Sequence, residues 1–210
     1  MKGLRHHSAT TPPPLGDLGT KRGHWYSRPV RARSLSLLLV VALTGAACSF
    51  GSSASTETTL APKPAGSTPS AISRQICSDE AQTDMASALG ERAKVSTPTW
   101  VDHRYSCTYD YPKATVPGSF EVSVTELSSW PETYAYFDGL AKSMGKTRDL
   151  EALGQGAFQT TNGSVVVRKD WKVLLVDDTG LPDRFGVPPT SSGSVAVTVA
   201  DVILGCWAGD

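Results

Sequence analysis

Downstream of residue 77 the spacing of apolar positions predicts a series of regular elements. In "SDEAQTDMASALG" the residues Ala81, Met85, Ala88 and Leu89 recur at helical spacing. Ser78 offers an N-cap, Asp79 and Glu80 suit the positive end of the helix, and Gly90 can close it. "HRYSCTYDYP" then changes to a period of two, placing Tyr105, Cys107, Tyr109 and Tyr111 on one face. "SFEVSVTE" repeats that period with Phe120, Val122 and Val124, and a Pro/Gly loop joins the two strands into an antiparallel hairpin with one wet face. A second helix is marked by the capping box Ser129…Glu132 and by the apolar series Tyr134, Phe137, Leu140, Ala141 and Met144, with Gly145 ending it.

A meander follows. Asn162-Gly163 has the composition of a two-residue primed turn, and pairing outward from it puts Phe158, Val165 and Val167 on one face. Arg168-Lys169-Asp170 turns the chain into "WKVLLVDD". There Val173 to Val176 are apolar on both sides, as in a central strand. The last stretch alternates like a strand, but it is long, and Val195, Val199, Val202 and Cys206 also form a stripe of helical period. A helix is the expectation. The order α-β-β-α-β-β-β-α defines an α+β fold, an antiparallel sheet of about five strands covered by three helices, as one domain over 74–210.

Upstream the pattern is of another kind. Leu35 to Ala47 is a run of about thirteen mostly apolar residues, short of the roughly 20 that span a bilayer and of the length of a signal-peptide core. Arg28, Arg31 and Arg33 precede it, and Gly45, Ala46 and Ala47 are small. The stretch resembles a bacterial lipoprotein signal, with Ala46, Ala47 and Cys48 matching its box and Gly45 standing where an aliphatic residue is usual. That resemblance implies cleavage between Ala47 and Cys48, a diacylglyceryl group on the Cys48 thiol and acylation by palmitate. Ordinary secretory cleavage after Ala47 is the alternative. Residues 1–47 thus form a leader, with translation expected to start near Val30. From Cys48 to Ser73, 20 of 26 residues are Ser, Thr, Gly, Pro or Ala, the composition of a disordered tether.

Charge follows the same division. Seven Lys or Arg and one acid precede Cys48, which leaves 13 basic and 19 acidic residues after it. A basic leader on an acidic body suits an exported precursor and not a nucleic-acid binder. Export admits disulfides. Cys77–Cys107 is the favoured pair, closing a loop of about 30 residues for roughly 3 kcal/mol. Cys77–Cys206, joining the two ends of the domain, is the alternative.

Candidate chemistry is sparse. His103 is the body's only histidine, and no Cys or acid lies at ligand spacing around it, so neither a metal site nor a catalytic triad is expected. "LGQGAF" lacks the third glycine of a dinucleotide fingerprint and reads as a turn entering a strand. Asp177, Asp178 and Asp183 lack calcium-loop spacing. Arg168, Lys169, Trp171 and Lys172 form a small basic and aromatic group at a turn, a candidate contact for a partner, although such charges also guard sheet turns.

The segments "ICSDEA", "YSCTYDYP", "LGQGAF", "GSVVVRKD" and "ILGCW" resemble small lipoproteins and secreted proteins of uncharacterised function in actinobacteria, and the body is similar to helix–sheet sandwich domains of the Mog1/PsbP type. The resemblance implies a binding or accessory role with no catalytic residues and no cofactor. The expectation is a lipid-anchored protein on the outer face of the cytoplasmic membrane, binding an envelope protein or small ligand. A secreted hydrolase using His103 and a purely structural envelope protein are the alternatives.

Overall fold

The computed structural model describes residues 62–207. The leader, the processing residues Ala47 and Cys48, and the tether as far as residue 61 lie outside the described residues. The helices are α1 (Ala71–Gln75), α2 (Asp79–Leu89), α3 (Trp130–Ser143) and α4 (Ser192–Gly205). The strands are β1 (Lys94–Val95), β2 (Thr99–Val101), β3 (Arg104–Tyr111), β4 (Gly118–Glu126), β5 (Lys146–Leu150), β6 (Gly156–Thr160), β7 (Val165–Lys169), β8 (Lys172–Asp177), β9 (Arg184–Phe185) and β10 (Thr190–Ser191). The fold is α+β, with a large antiparallel sheet.

That sheet has eight strands rather than about five, and four helices accompany it rather than three. The additional strands are of two or three residues, too short to show a period, or are polar like β5, "KTRDL", at the sheet edge, where charges discourage pairing with other chains. The strand order is β1-β3-β4-β8-β7-β6-β5, with β2 also paired to β3; β9 and β10 form a separate ribbon. The chain leaves β4, crosses over three strand positions through α3, and returns along β5, β6 and β7 so that β8 inserts beside β4.

α1 falls inside the stretch expected to be tether. Ser70 caps it by accepting from the Ser73 amide, and Ile72 and Ser73 are buried. The folded domain therefore begins before residue 74. Its low-complexity composition hides a five-residue helix whose order comes from tertiary contacts, as isolated turns of helix are unstable.

α2 has the expected caps, Ser78 at one end and Gly90, at φ +67°, at the other. The capping box of α3 is displaced by one residue. Ser129 Oγ accepts from the Glu132 amide at 3.3 Å, but the Glu132 carboxylate reaches back to the amide of Ser128, not Ser129, at 2.8 Å.

The sheet divides the core in two. On one face Tyr109, Phe120, Val122, Val124, Val165, Val167, Leu174 and Val176 pack against α1, α2 and α4. On the other, Phe158, Val166 and Val173 pack under Phe137, Leu140 and Met144 of α3. β8 supplies apolar side chains to both, as expected of a central strand.

Phe158 does not share a face with Val165 and Val167. Gln159 pairs with Val165 and Phe158 with Val166, across a three-residue loop of Thr161, Asn162 and Gly163. Only Gly163 has positive φ, +101°, so the turn is not of the primed two-residue kind. With one more residue in the loop, every side chain of β6 changes sides.

Candidate functional site

α3 covers only the β6–β7–β8 part of its sheet face. Over β2, β3 and the Glu121 part of β4 that face is open, because alternation sends Arg104, Ser106 and Glu121 to it while the aromatic and aliphatic residues go to the core; Ser123 and Thr125, further along β4, are buried. Between this bare half and Tyr136 of α3 runs an open groove of about 460 Å³, lined by Thr99, Val101, Asp102, Arg104, Ser106, Glu121, Thr125 and Tyr136. Its polar groups are tied to one another. Arg104 and Glu121 form an ion pair at 2.6 Å, the Thr99 and Ser106 hydroxyls lie 3.1 Å apart, and Thr125 and Tyr136 share a hydrogen bond of 3.1 Å. Such a wall offers hydroxyls and one held guanidinium to a polar ligand or to a partner's main chain. Sequence pattern shows these residues as a wet face, but not that α3 stops short of covering them.

His103 occupies the β2–β3 turn beside Asp102. Both have positive φ, +62° and +50°, and Val101 pairs with Arg104 across them. This is where the primed two-residue hairpin turn occurs. His103 Nδ1 lies 3.1 Å from the Gly66 carbonyl, and its ring meets Trp100 edge-on at 5.9 Å. Neither contact is with a nucleophile or an acid.

The four residues expected to form a partner contact are brought to one corner but are not presented together. Arg168 lies over the Tyr134 ring at 4.4 Å and donates to the Gln155 carbonyl. Lys169 donates to the Trp207 carbonyl at 2.6 Å, and Trp171 packs edge-on against Trp130. Lys172 is only 2 % exposed, so it is not on an open binding surface. The β7–β8 turn folds these long side chains back along the protein, where their stems cover apolar surface.

The cysteines resolve as the favoured pairing. Cys77 and Cys107 form the disulfide, which links the α1–α2 junction to the middle of β3. Cys206, the alternative partner of Cys77, lies outside it. Its Sγ is 3.7 Å from Asp84 Oδ2, and with Glu80 these residues gather three potential metal-ligand atoms within 4.8 Å. No sequence spacing signals that set, because Cys206 lies more than a hundred residues from α2.

Two further buried polar groups were not apparent from sequence. Glu126 Oε1 accepts from the Ser70 amide at 2.8 Å and from the Ser73 hydroxyl at 2.5 Å, fastening α1 to the end of β4. Asp178, 2 % exposed, accepts from Ser164 Oγ at 3.0 Å. Burial raises its carboxyl above the usual range, against the hydroxyls of Ser164 and Ser192, with the Asp177 charge pushing the same way as burial.

No helix among the described residues is long and apolar enough to cross a membrane. Comparison with models of known families, with curated proteins and with solved structures returns no match for this chain.

Proposed function

We propose that this chain is a bacterial cell-envelope lipoprotein, held on the outer face of the cytoplasmic membrane by lipid on Cys48, whose domain binds a polar ligand or envelope partner without chemistry. The observation that carries the binding role is the bare half-face of the sheet with its 460 Å³ groove and its fixed Arg104–Glu121 pair. A covered sheet would give these polar residues no solvent to face. The leader pattern and the resemblance to actinobacterial lipoproteins and Mog1/PsbP-type domains support the location and the accessory role. Against the hydrolase alternative stands His103, whose ring is engaged by Gly66 and Trp100.

Metabolic labelling with a palmitate analogue tests the anchor: Cys48→Ala loses the label, and an unchanged label rejects it. A photo-crosslinking residue at Thr99 tests the groove in living cells. It should give a discrete adduct that Arg104→Ala abolishes. Adducts no different from those of the same probe at Ser87, on the exposed side of α2, would reject the groove. A His103-dependent cleavage of a simple ester would favour the hydrolase.

A further inference from the structure

Hydrogen bonds draw one end of the sheet together from sites far apart in sequence. The Glu126 amide donates to the His103 carbonyl at 2.9 Å, and the Leu127 amide to the Trp171 carbonyl at 2.7 Å. Ser70 is held by Glu126, Trp100 Nε1 donates to the Ser67 carbonyl at 3.1 Å, and Lys169 reaches the Trp207 carbonyl. Trp130 stands against Trp171 and Tyr134 at ring separations of 6.4 and 6.1 Å. All four tryptophans among the described residues are therefore at this end. Trp100, Trp130 and Trp171 are half-buried, Tyr134 is 48 % exposed, and Val101 at the hairpin tip is 63 % exposed.

Four cations lie on this end. Lys63 and Arg74 are exposed, and Arg168 and Lys169 are half-exposed. The exposed acids here are Asp102, Glu132 and, just past the end of β5, Glu151, while Glu126 and Asp170 are buried. Trp130 and Tyr134, each with an apolar body and a polar tip and with Arg168 over the Tyr134 ring, suit the boundary between water and lipid headgroups.

The same end receives the chain from its N-terminal side. Gly66 and Ser67 lie against His103 and Trp100. Fourteen residue steps separate Cys48 from Pro62, a length that spans at most about 50 Å fully extended. A lipid on Cys48 therefore tethers the domain from this end.

We infer that the Trp100–Trp130–Trp171 end is a docking surface for the headgroup layer of an anionic bilayer, so that the anchored domain rests on the membrane in one orientation. The inference rests on the proposed anchor for proximity and on the aromatic and cationic side chains for contact. Val101 and Asp102 belong both to this end and to the rim of the groove.

The test uses the purified, processed protein with vesicles of phosphatidylcholine and phosphatidylglycerol, with and without lipids brominated near the headgroup. Tryptophan emission is expected to be quenched by the brominated lipid, and less so as salt rises. Lys63→Gln with Arg74→Gln should lower the docked-to-undocked ratio roughly thirtyfold, on a scale of about 1 kcal/mol per surface cation. Val101→Asp should also reduce quenching, and near-UV circular dichroism checks that both variants are folded. Equal emission in the two kinds of vesicle, or quenching that neither variant changes, overturns the docking surface. Palmitate labelling of the same preparation separates the two readings. Labelled but unquenched protein loses the docking alone, and quenched but unlabelled protein loses the anchor alone.

Discussion

Replacing both Cys77 and Cys107 by alanine removes the cross-link without leaving an unpaired thiol at either position. The bridged residues are 30 apart in sequence. In the chain-entropy model such a loop restricts the unfolded chain by about 3.6 kcal/mol. Both sulfurs are also buried in the main core, and losing them leaves a small void at a further cost of about 1 kcal/mol. The total, about 4–5 kcal/mol, is a large share of the 5–15 kcal/mol typical of a folded domain. For the 146 residues from 62 to 207 each kcal/mol moves Tm by about 3 °C, so the double variant should melt about 12–15 °C lower. Thermal unfolding followed by far-UV circular dichroism measures this, with Cys206→Ala in parallel and expected to stay within about 3 °C, the effect of a mild change at a half-buried site. A double variant that loses less than the Cys206 variant would refute the pairing and the loop reasoning together.

Other expectations concern single polar atoms. Tyr109 Oη donates to the Ile76 carbonyl at 2.6 Å, whereas the buried Tyr111 Oη has no partner among the described residues. Tyr109→Phe should cost about 1–2 kcal/mol and Tyr111→Phe nothing or a slight gain, and equal losses in urea titrations would contradict this. Asp178→Asn should stabilise the protein at neutral pH. Because the folded carboxyl is raised, the native state holds a proton that the unfolded state releases, so wild-type stability falls as pH climbs from the unfolded value through the folded one. The advantage of the variant in Tm should thus shrink below about pH 4, where both states of the wild type are protonated. Glu126→Ala should release α1 at a cost of about 2–3 kcal/mol, seen as faster amide exchange in Ala71–Gln75 than in α2.

The large helices and central strands were legible because burial on one face imposes a period. Capping chemistry marks Ser78, Gly90 and Ser129 in the same way, and each occupies its expected place. Phe158 shows where legibility fails. The dipeptide Asn162-Gly163 suits two kinds of hairpin, and the choice between them rests on what packs behind the loop. A side chain at Gly163 would sit 2.7 Å from Asp178 Oδ2, a contact made by the residue just after β8. β1, β2, β9 and β10 are too short to show a period, and α1 has the composition of the linker before it. The groove and the tryptophan end depend on pairings such as Glu126 with Lys172 and on the reach of α3, which are properties of topology.

The insertion of β8 beside β4 also has a consequence for how the chain comes into being. In synthesis from the N-terminus the β3–β4 hairpin can close early, but the β4 edge with Val122 and Val124 stays unsatisfied until its partner arrives. From Glu126 to its mate Lys172 the chain must grow by 46 positions, through α3 and three further strands. Until then the nascent chain carries an apolar strand with an open row of amides and carbonyls, the kind of edge that recruits other chains. The late closure makes β4 the place where a helper protein would hold the newborn chain, and where a pause in translation would do most harm.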